Sequence, residues 1–187
     1  MNQGEMKTIT DYQMQKFQIW EGSPIGQFFI ATTPKGICAV KIIPPSVMDK
    51  ILEGQSKSMS DKNSEFLSTA IQQLEEYFQG KRTEFILPLD LSRVSLFSQK
   101  VLEEARKIKF GQVCSYGDIG VRIGRPNTAR AVGMALANNP LMLVIPCHRV
   151  IAKDQHLHGY SAPQGLATKA WLLQFEGHLI ENMKVIR

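Results

Sequence analysis

The chain has 187 residues, 43% of them hydrophobic and 21% charged, which allows one or two domains with a buried core. No stretch approaches the ~18 apolar residues of a membrane span, and no cleavable signal begins the chain, so we expect a soluble, cytoplasmic protein with no membrane partner. Cys38, Cys114 and Cys147 are too few and too widely spaced for a disulfide framework or a cysteine metal site.

The net charge of +5 is unevenly divided along the chain. Residues 1–92 hold nine Lys/Arg and eleven Asp/Glu, a net charge of −2, whereas residues 93–187 hold thirteen and six, a net charge of +7. A basic excess in one half favours a polyanion-binding module, although basic residues that are merely solvated give the same count. We predict an N-terminal α/β domain over 1–92 and a C-terminal domain over 93–187.

In the first domain, β-branched and aromatic residues dominate residues 16–43, and glycine and proline interrupt them twice. The segments KFQIW, QFFIATT and GICAVKII, separated by EGSPIG and TPKG, predict a small antiparallel meander. Polar residues 54–64 predict a loop. Helical spacing from Leu67 to Phe78 predicts a helix that Gly80 ends, and RTEFILPLDL (82–91) predicts a return to strand.

The second domain begins with helical patterns. One apolar stripe predicts a helix that ends at FGQV, through Phe97, Val101, Leu102, Ala105 and Ile108. Ser115 and Asp118 have the spacing of a capping box and predict a second helix start. After a Gly-Arg-Pro turn, Asn127 is a candidate N-cap for a third helix, which Pro140 stops. Two short helices joined in this way predict a helix-turn-helix.

The third helix of this domain carries small side chains and one long cation. The small residues are Ala129, Ala131, Gly133, Ala135 and Ala137, and the cation is Arg130. Two interpretations are open: a small-sided core helix from which Arg130 extends to solvent, or a helix that enters a groove of a duplex and pushes its arginine into the base stack.

Cys147 follows the apolar run LMLVI, which predicts a buried strand or extended segment ending at Pro146. A lone cysteine is usually a small hydrophobic residue, but the Pro-Cys-His-Arg sequence favours a nucleophile. Neighbours on a strand point to opposite faces, so a water-bridged relay to His148 is more natural than a direct bond. The orienting acid would be Asp154, Glu176 or Glu181, and Glu176 closes the apolar helix GLATKAWLLQFEG.

Two long segments resemble the O6-alkylguanine-DNA alkyltransferases, also called methylated-DNA–protein-cysteine methyltransferases. They are RKIKFGQVCSYGDIGVRIGRPNTARAVGMALANNPLMLVIPCHRVI and HGYSAPQGLATKAWLLQFEG. Upstream, SPIGQFFIATTPKGICAV and QQLEEYFQGKRTEFILPLDL are similar to the family's N-terminal domain, and the resemblance covers roughly residues 16–180. It implies an α+β fold, with a ribonuclease H-like antiparallel-sheet domain followed by a mainly helical domain.

The resemblance also implies an activity. The protein would remove the alkyl group from O6-alkylguanine in double-stranded DNA by base flipping and thiolate attack, in one turnover. O4-alkylthymine would be a second candidate substrate. We expect no cofactor, no metal, no small-molecule methyl donor and a monomer, associated with the nucleoid if the protein is bacterial.

The family's motifs assign residues to three groups. The catalytic group is the acceptor Cys147, the relay of His148 and Glu176, and the supporting Tyr116 and Asn139. The DNA-binding group is Arg130, which fills the gap in the stack, with Thr128, Ala129, Ala131 and Gly133. The substrate pocket is formed by Tyr116, Val150, Tyr160 and Ser161.

This sequence departs from the family pattern at two places: SAPQ stands between Tyr160 and Gly165 where the family usually has a shorter glycine-rich stretch, and Thr128 stands where alanine is common.

A non-catalytic lesion sensor or regulator is the rival hypothesis, and a multiple-turnover thiol hydrolase is a third. Cys147 argues against the alkyltransferase-like proteins, which have tryptophan at this position.

Overall fold

The computed structural model describes residues 16–44, 46–47 and 65–186. The loop predicted over 54–64 lies outside these residues. The chain divides into two compact units, Met1–Leu91 and Ser92–Arg187. The predicted fold class is confirmed, because a small antiparallel sheet precedes a mainly helical region.

In the first unit, β1 (Lys16–Trp20), β2 (Gln27–Thr33) and β3 (Gly36–Ile43) form an antiparallel sheet in that order. The predicted meander is therefore confirmed. Trp20 pairs with Phe28, which in turn pairs with Ile42 on the next strand. Most of β2 and β3 is buried, because their apolar runs offer a hydrophobic side chain to both faces of the sheet.

Helix α1 (Glu65–Phe78), which the helical spacing predicted, packs on this sheet. Its last residue, Phe78, lies against the rings of Trp20 and Phe28, with centroids 5.8 and 6.0 Å away. Gly80 follows with a φ of 71°, a left-handed conformation that glycine adopts without strain and that ends helices.

The strand predicted over residues 82–91 is wrong. Only an isolated bridge between Leu89 and Ile37 is present there. The side chain of Gln73 donates to the carbonyl of Ile86 and accepts from its N–H, both at 2.8 Å, so a helix side chain replaces the partner strand. Pro88 has no N–H to donate to a ladder. The β-type composition correctly indicates that parts of this segment are buried, but the segment does not pair with a strand.

Four helices form most of the second unit: α2 (Leu96–Arg106), α3 (Tyr116–Arg122), α4 (Ala129–Ala137) and α5 (Leu166–Phe175). The helix predicted from the apolar stripe is α2, although Ile108 lies beyond its end. Helix α5 confirms the helix predicted over GLATKAWLLQFEG. Among the helices of the described residues, none is long and apolar enough to cross a bilayer.

Two pairs of short strands complete the second unit. Strand β4 (Cys114–Ser115) runs parallel to β5 (Val150–Ile151), so the start of α3 lies beside the residues that follow Cys147. A terminal hairpin joins β6 (Leu179–Glu181) to β7 (Lys184–Ile186). It packs on a buried cluster that includes Leu173 of α5.

Helices α3 and α4 are joined by a tight turn. The capping box of Ser115 and Asp118 is confirmed. Asn127 is not the N-cap of α4, since it has a φ of 63° in the turn and Thr128 takes the cap position. The Thr128 hydroxyl donates to the Arg125 carbonyl, and a side chain at Gly120 would come within 2.9 Å of that hydroxyl. Glycine at position 120 therefore permits the close turn.

The apolar run before Cys147 is buried but forms no strand. Among its residues only an isolated bridge between Met142 and Ile145 is found, and Leu143 has a φ of 67°. The Ile145 N–H donates to the Leu141 carbonyl at 2.8 Å, which closes the run into a turn. A buried turn and a buried strand share the same apolar composition, so the sequence could not separate them. A 3₁₀ turn, Cys147–Arg149, follows Pro146.

Candidate active site

Cys147 lies at a small pocket in the second unit that is open to solvent, and the space between its walls, with the solvent at its mouth included, is about 230 Å³. Three parts of the chain form the walls: the start of α3, one side of α4 and the loop before α5. The lining residues are Tyr116, Gly133, Leu136, Ala137, Cys147, Gly159, Tyr160 and Ser161. Of the residues predicted to frame a substrate, the structure thus brings Tyr116, Tyr160 and Ser161 to the sulfur's pocket.

Asn139 holds the sulfur in place. Its Nδ2 donates to the Cys147 Sγ at 3.2 Å and to the Ile145 carbonyl at 2.9 Å, and its Oδ1 accepts from the Leu141 N–H at 3.0 Å. The side chain is buried, and it follows directly on the end of α4. Asn139 therefore fixes the turn that presents Cys147 relative to that helix.

The pKa of the Cys147 thiol is raised by burial, because a thiolate loses its hydration there. Hydrogen bonds from Asn139 and Tyr160 and the charge of Lys169 act in the opposite direction, without overcoming burial. The structure therefore favours a neutral thiol at rest, and a nearby base is needed to ionise it.

His148 is the nearest candidate base along the chain. Its ring is fully buried, and burial lowers its pKa, against the opposing charge of Glu176. The Nε2 atom lies 2.8 Å from Glu176 Oε1, and Nδ1 is buried without a hydrogen-bond partner among the described residues. Because an ionised carboxylate can only accept, the Nε2 atom carries the proton and Nδ1 carries the free lone pair.

Glu176 is the buried anion of the site. Burial alone would raise its pKa, but the charges and hydrogen bonds of His148 and Arg149 outweigh burial and hold the pKa of this carboxyl well below its usual range. Of the three acids that the sequence left open, Glu176 alone contacts His148, whereas Asp154 pairs with His156 and Glu181 is exposed on β6.

Arg149 completes this cluster and was not predicted as a site residue. Its Nε and Nη2 donate to the two oxygens of Glu176, both at 2.8 Å, and its Nη1 donates to the Ile108 carbonyl at 2.6 Å. The guanidinium also lies 5.8 Å from the ring centre of Phe110. This two-point contact fixes the carboxylate that orients His148.

Lys169 is a second buried cation that was not predicted. Its Nζ lies 3.2 Å from the Tyr116 hydroxyl and donates to the carbonyls of Val150 and His158, at 2.7 and 3.0 Å. Burial lowers the pKa of Lys169 to about 8, against the charge of Cys147. Burial also raises the pKa of Tyr116 to about 12, and the charge of Cys147 adds to this shift. The tyrosine is therefore a neutral donor beside a cation.

Helix α4 and its N-cap carry the residues predicted to bind DNA, which lie on different sides of the helix. Ala129, Arg130 and Ala131 are exposed. Gly133 faces the pocket, where a side chain at its position would lie 3.9 Å from the Tyr116 ring. The half-buried Thr128 has its hydroxyl engaged in the α3–α4 turn. Arg130 extends to solvent while Val132, Ala135 and Leu136 are buried, which both interpretations of this helix predict, so the choice between them stays open.

The loop with the unusual SAPQ sequence is tied to the end of α4. The Ser161 hydroxyl donates to the Ala137 carbonyl at 2.5 Å, and Ala162 is buried beside it. This bond closes one wall of the pocket. Val150, which was predicted to form part of the substrate pocket, is not among the lining residues, and its carbonyl accepts a hydrogen bond from the Lys169 Nζ.

The described residues contain no group of three or more His, Cys, Asp or Glu side chains that could hold a metal ion. Asn139 is bonded to Cys147, His148 is bonded to Glu176, and Tyr116 contacts Lys169.

Family models match both units. Residues 96–178 match the DNA-binding domain of 6-O-methylguanine DNA methyltransferase, and residues 22–91 match its ribonuclease-like domain. The methylated-DNA–protein-cysteine methyltransferase of Mycobacterium leprae is 35% identical over 158 residues, covering 84% of this chain and 90% of that protein. The chain belongs to the 6-O-methylguanine DNA methyltransferase family.

Other members of the family agree. The methylated-DNA–protein-cysteine methyltransferase of Metallosphaera sedula is 45% identical over 126 residues, or 67% of this chain and 76% of that protein. The crystal structure of Mycobacterium tuberculosis OGT in complex with DNA matches with a TM-score of 0.70 and 35% identity, covering 86% of this chain and 91% of that one. The fold of this family is therefore the fold of the chain.

Lys169 and Arg149 were not predicted as site residues, although the sequence contains a signal for each. Lys169 stands at the buried face of α5, three residues before Leu172, where a charged residue is rarely placed without a partner. Arg149 directly follows His148 in the Pro-Cys-His-Arg sequence, but its partner lies 27 residues away. Without the fold, neither the contact of Lys169 with Tyr116 nor that of Arg149 with Glu176 could be predicted.

Proposed function

We propose that this chain repairs DNA by transferring the alkyl group of O6-alkylguanine in double-stranded DNA to its own Cys147. O4-alkylthymine is a second candidate substrate. The observation that carries the proposal is the position of the Cys147 sulfur, at a solvent-open pocket that α4 lines on one side, with the buried His148–Glu176 pair beginning at the next residue of the chain. Relatives named methylated-DNA–protein-cysteine methyltransferases support the same activity.

The first step is removal of the thiol proton. The free lone pair on His148 Nδ1 accepts it through a bridging water, and the bond from Nε2 to Glu176 keeps the ring in the required tautomer. The imidazolium that forms is stabilised by the Glu176 carboxylate. Because burial lowers the pKa of His148, the ring is neutral and ready to accept at pH 7.

The second step is displacement at the alkyl carbon. The thiolate forms a sulfur–carbon bond while the bond from that carbon to O6 breaks, and the electron pair remains on the guanine. The Tyr116 hydroxyl donates a hydrogen bond to the leaving base, and the Lys169 ammonium 3.2 Å away strengthens that donor. The proton held by His148 then returns to the guanine through solvent, which balances the charge.

The base reaches the pocket by leaving the stack. Extrusion costs a few kcal/mol, and the Arg130 side chain would fill the vacated position. The small residues Ala129, Ala131 and Gly133 let the backbone of α4 approach the minor groove, with Thr128 at its start. Backbone groups of Cys147 and Val150 and the Ser161 amide would then frame the base.

The thioether product contains no acyl group that water could hydrolyse, so each molecule reacts once. We propose that the protein needs no cofactor and no small-molecule methyl donor, because the lesion itself supplies the alkyl group. We also propose that it acts as a monomer in the cytoplasm, at the nucleoid if the protein is bacterial.

The test is incubation with a duplex containing O6-methylguanine, followed by mass spectrometry of the peptides. We expect the Cys147 peptide to gain one methyl group, with product equal in moles to protein. The matched variant Cys147→Ser should lose transfer and keep DNA binding, because the side chains differ by one atom.

Three outcomes would contradict the proposal. A lesion sensor or regulator would bind the duplex without any change in the mass of the Cys147 peptide. A thiol hydrolase would release more product than protein, on an ester or amide. Loss of both DNA binding and fold in Cys147→Ser would mean that the cysteine is structural.

A further inference from the structure

The outer face of α4 is not lined by small residues alone. Met134 lies on this helix with 69% of its surface exposed, one turn after Arg130. Residues four apart on a helix share a face, so these two long side chains project from the same side. The neighbouring Gly133 and the later Ala137 line the pocket of Cys147.

Single exposed hydrophobic residues are common on protein surfaces, and Leu179 on β6 is comparably exposed at 62%. Position distinguishes Met134. It is adjacent to a pocket-lining glycine, it shares its helix face with an exposed cation, and it lies in the unit that carries the basic excess. An apolar side chain in that place adjoins the surface where a duplex has to lie for its base to reach Cys147.

We propose that Met134 is a second side chain that enters the minor groove, beside Arg130, and packs against the sugars and base edges that flank the extruded nucleotide. This inference rests on the proposed function. Helical side chains lean toward the helix N-terminus, so Met134 leans toward the turn of Arg130. Proteins that bind the minor groove frequently insert an apolar side chain between base steps, and methionine is one of the residue types they use.

The two side chains would act differently. Arg130 carries a charge that meets phosphates and depends on salt, whereas Met134 buries apolar area that salt hardly affects. Methionine is flexible and polarisable, so it can adapt to whichever base pair flanks the lesion. Met134 would then hold the duplex open around any sequence without reading it.

The experiment compares Met134→Ala, Met134→Leu and the control Leu179→Ala in the full chain. Binding to a duplex with O6-methylguanine is measured over a range of salt in a Cys147→Ser background, and single-turnover repair is measured with Cys147 present. We expect Met134→Ala to weaken duplex binding about fivefold to tenfold, by loss of apolar burial, with an unchanged salt slope. Met134→Leu should retain most binding, and Leu179→Ala all of it.

The reaction with free O6-benzylguanine separates a DNA contact from damage to the pocket. Met134→Ala should react with the free base at the wild-type rate. Three results would overturn the role of Met134 in Met134→Ala. The first is equal slowing of the duplex and free-base reactions, and the second is an unchanged affinity for the duplex. The third is a change in oligomeric state with no change in DNA affinity. Failure of the proposed function is a different result: the wild-type Cys147 peptide would remain unmethylated, while the binding measurements would still report on Met134.

Discussion

The residues behind Cys147 and the residues on the outer face of α4 are built on opposite principles. Behind the sulfur, His148, Arg149 and Glu176 are almost completely buried, and the first two each bond to Glu176 at 2.8 Å. On α4, Arg130 and Met134 extend into solvent. One region has its charges paired before any substrate arrives, whereas the other leaves its side chains open to contact.

This difference assigns separate tasks to the two regions. A buried cluster whose charges are paired is little affected by salt and holds its geometry at no cost during the reaction, which suits proton transfer. An exposed cationic and apolar face gains its energy only against a polyanion, which suits DNA recognition. Changes behind Cys147 should therefore affect the free base and duplex DNA alike, and changes on α4 should affect duplex DNA alone.

The largest expected effect is that of Glu176→Gln. The variant keeps the shape of the side chain but leaves the Arg149 guanidinium buried without an anion, which typically costs about 3–5 kcal/mol. We expect the free energy of unfolding in denaturant to fall by about that amount, and transfer to both substrates to be lost together. The exposed Glu181→Gln is the control and should change stability by less than about 0.5 kcal/mol.

The pH dependence of stability provides a further check on Glu176. Its pKa is lowered in the folded protein, so its contribution is present above the unfolded value of about 4.3 and is lost as pH falls below that value. The wild type should lose stability in this acidic range, and Glu176→Gln should lose less there. Identical acid unfolding curves for the two proteins would mean that Glu176 is not a buried anion.

A smaller effect is expected for Lys169→Met, which removes the charge beside Tyr116 and preserves the length of the side chain. The charge of Lys169 lowers the pKa of Cys147, so its loss raises that pKa further. We expect single-turnover transfer near pH 7 to slow about tenfold for both substrates, as for the loss of a charge-assisted hydrogen bond. The rising limb of the pH–rate profile should move to higher pH.

The alkaline limb of the wild-type profile tests the same assignment. Because the pKa of Lys169 is about 8, its ammonium loses its proton above that pH, and the wild-type rate should then level off or fall. Lys169→Met should lack this limb. The exposed Lys153→Met serves as the control, and a profile for Lys169→Met that matches the wild type would exclude an electrostatic role.

The sequence predicted some elements of the fold correctly and others wrongly. Strands β1–β3 and helix α5 were predicted correctly, because alternating or helical apolar patterns between turn residues express the burial that forms them. Residues 82–91 and 141–145 were predicted as strand or extended chain, and both are buried segments whose backbone is satisfied by Gln73 or by a local turn. The composition of a segment predicts that it is buried, but it does not predict which groups satisfy its backbone hydrogen bonds.

The same limit applies to the site. Cys147, His148 and Glu176 were singled out by a motif and by position at a helix end, and Glu176 proved to be the acid that contacts His148. Arg149 and Lys169 were missed, because their roles depend on partners far along the chain. In a sequence, a buried cation shows only as a charged residue at a position where the pattern predicts an apolar one.

Arg130→Ala gives the smallest effect on the molecule and the sharpest separation of the two regions. Arg130 is exposed, so its loss should leave stability within about 0.5 kcal/mol. Repair in duplex DNA should slow about tenfold, because an extruded base then leaves an unfilled gap that favours its return. A single-stranded substrate and free O6-benzylguanine have no gap to fill and should react at wild-type rates. Arg106→Ala removes the same charge from α2 and is the matched control. If Arg130→Ala slows all three substrates equally, the outer face of α4 takes part in the chemistry, and the division between the two regions is wrong.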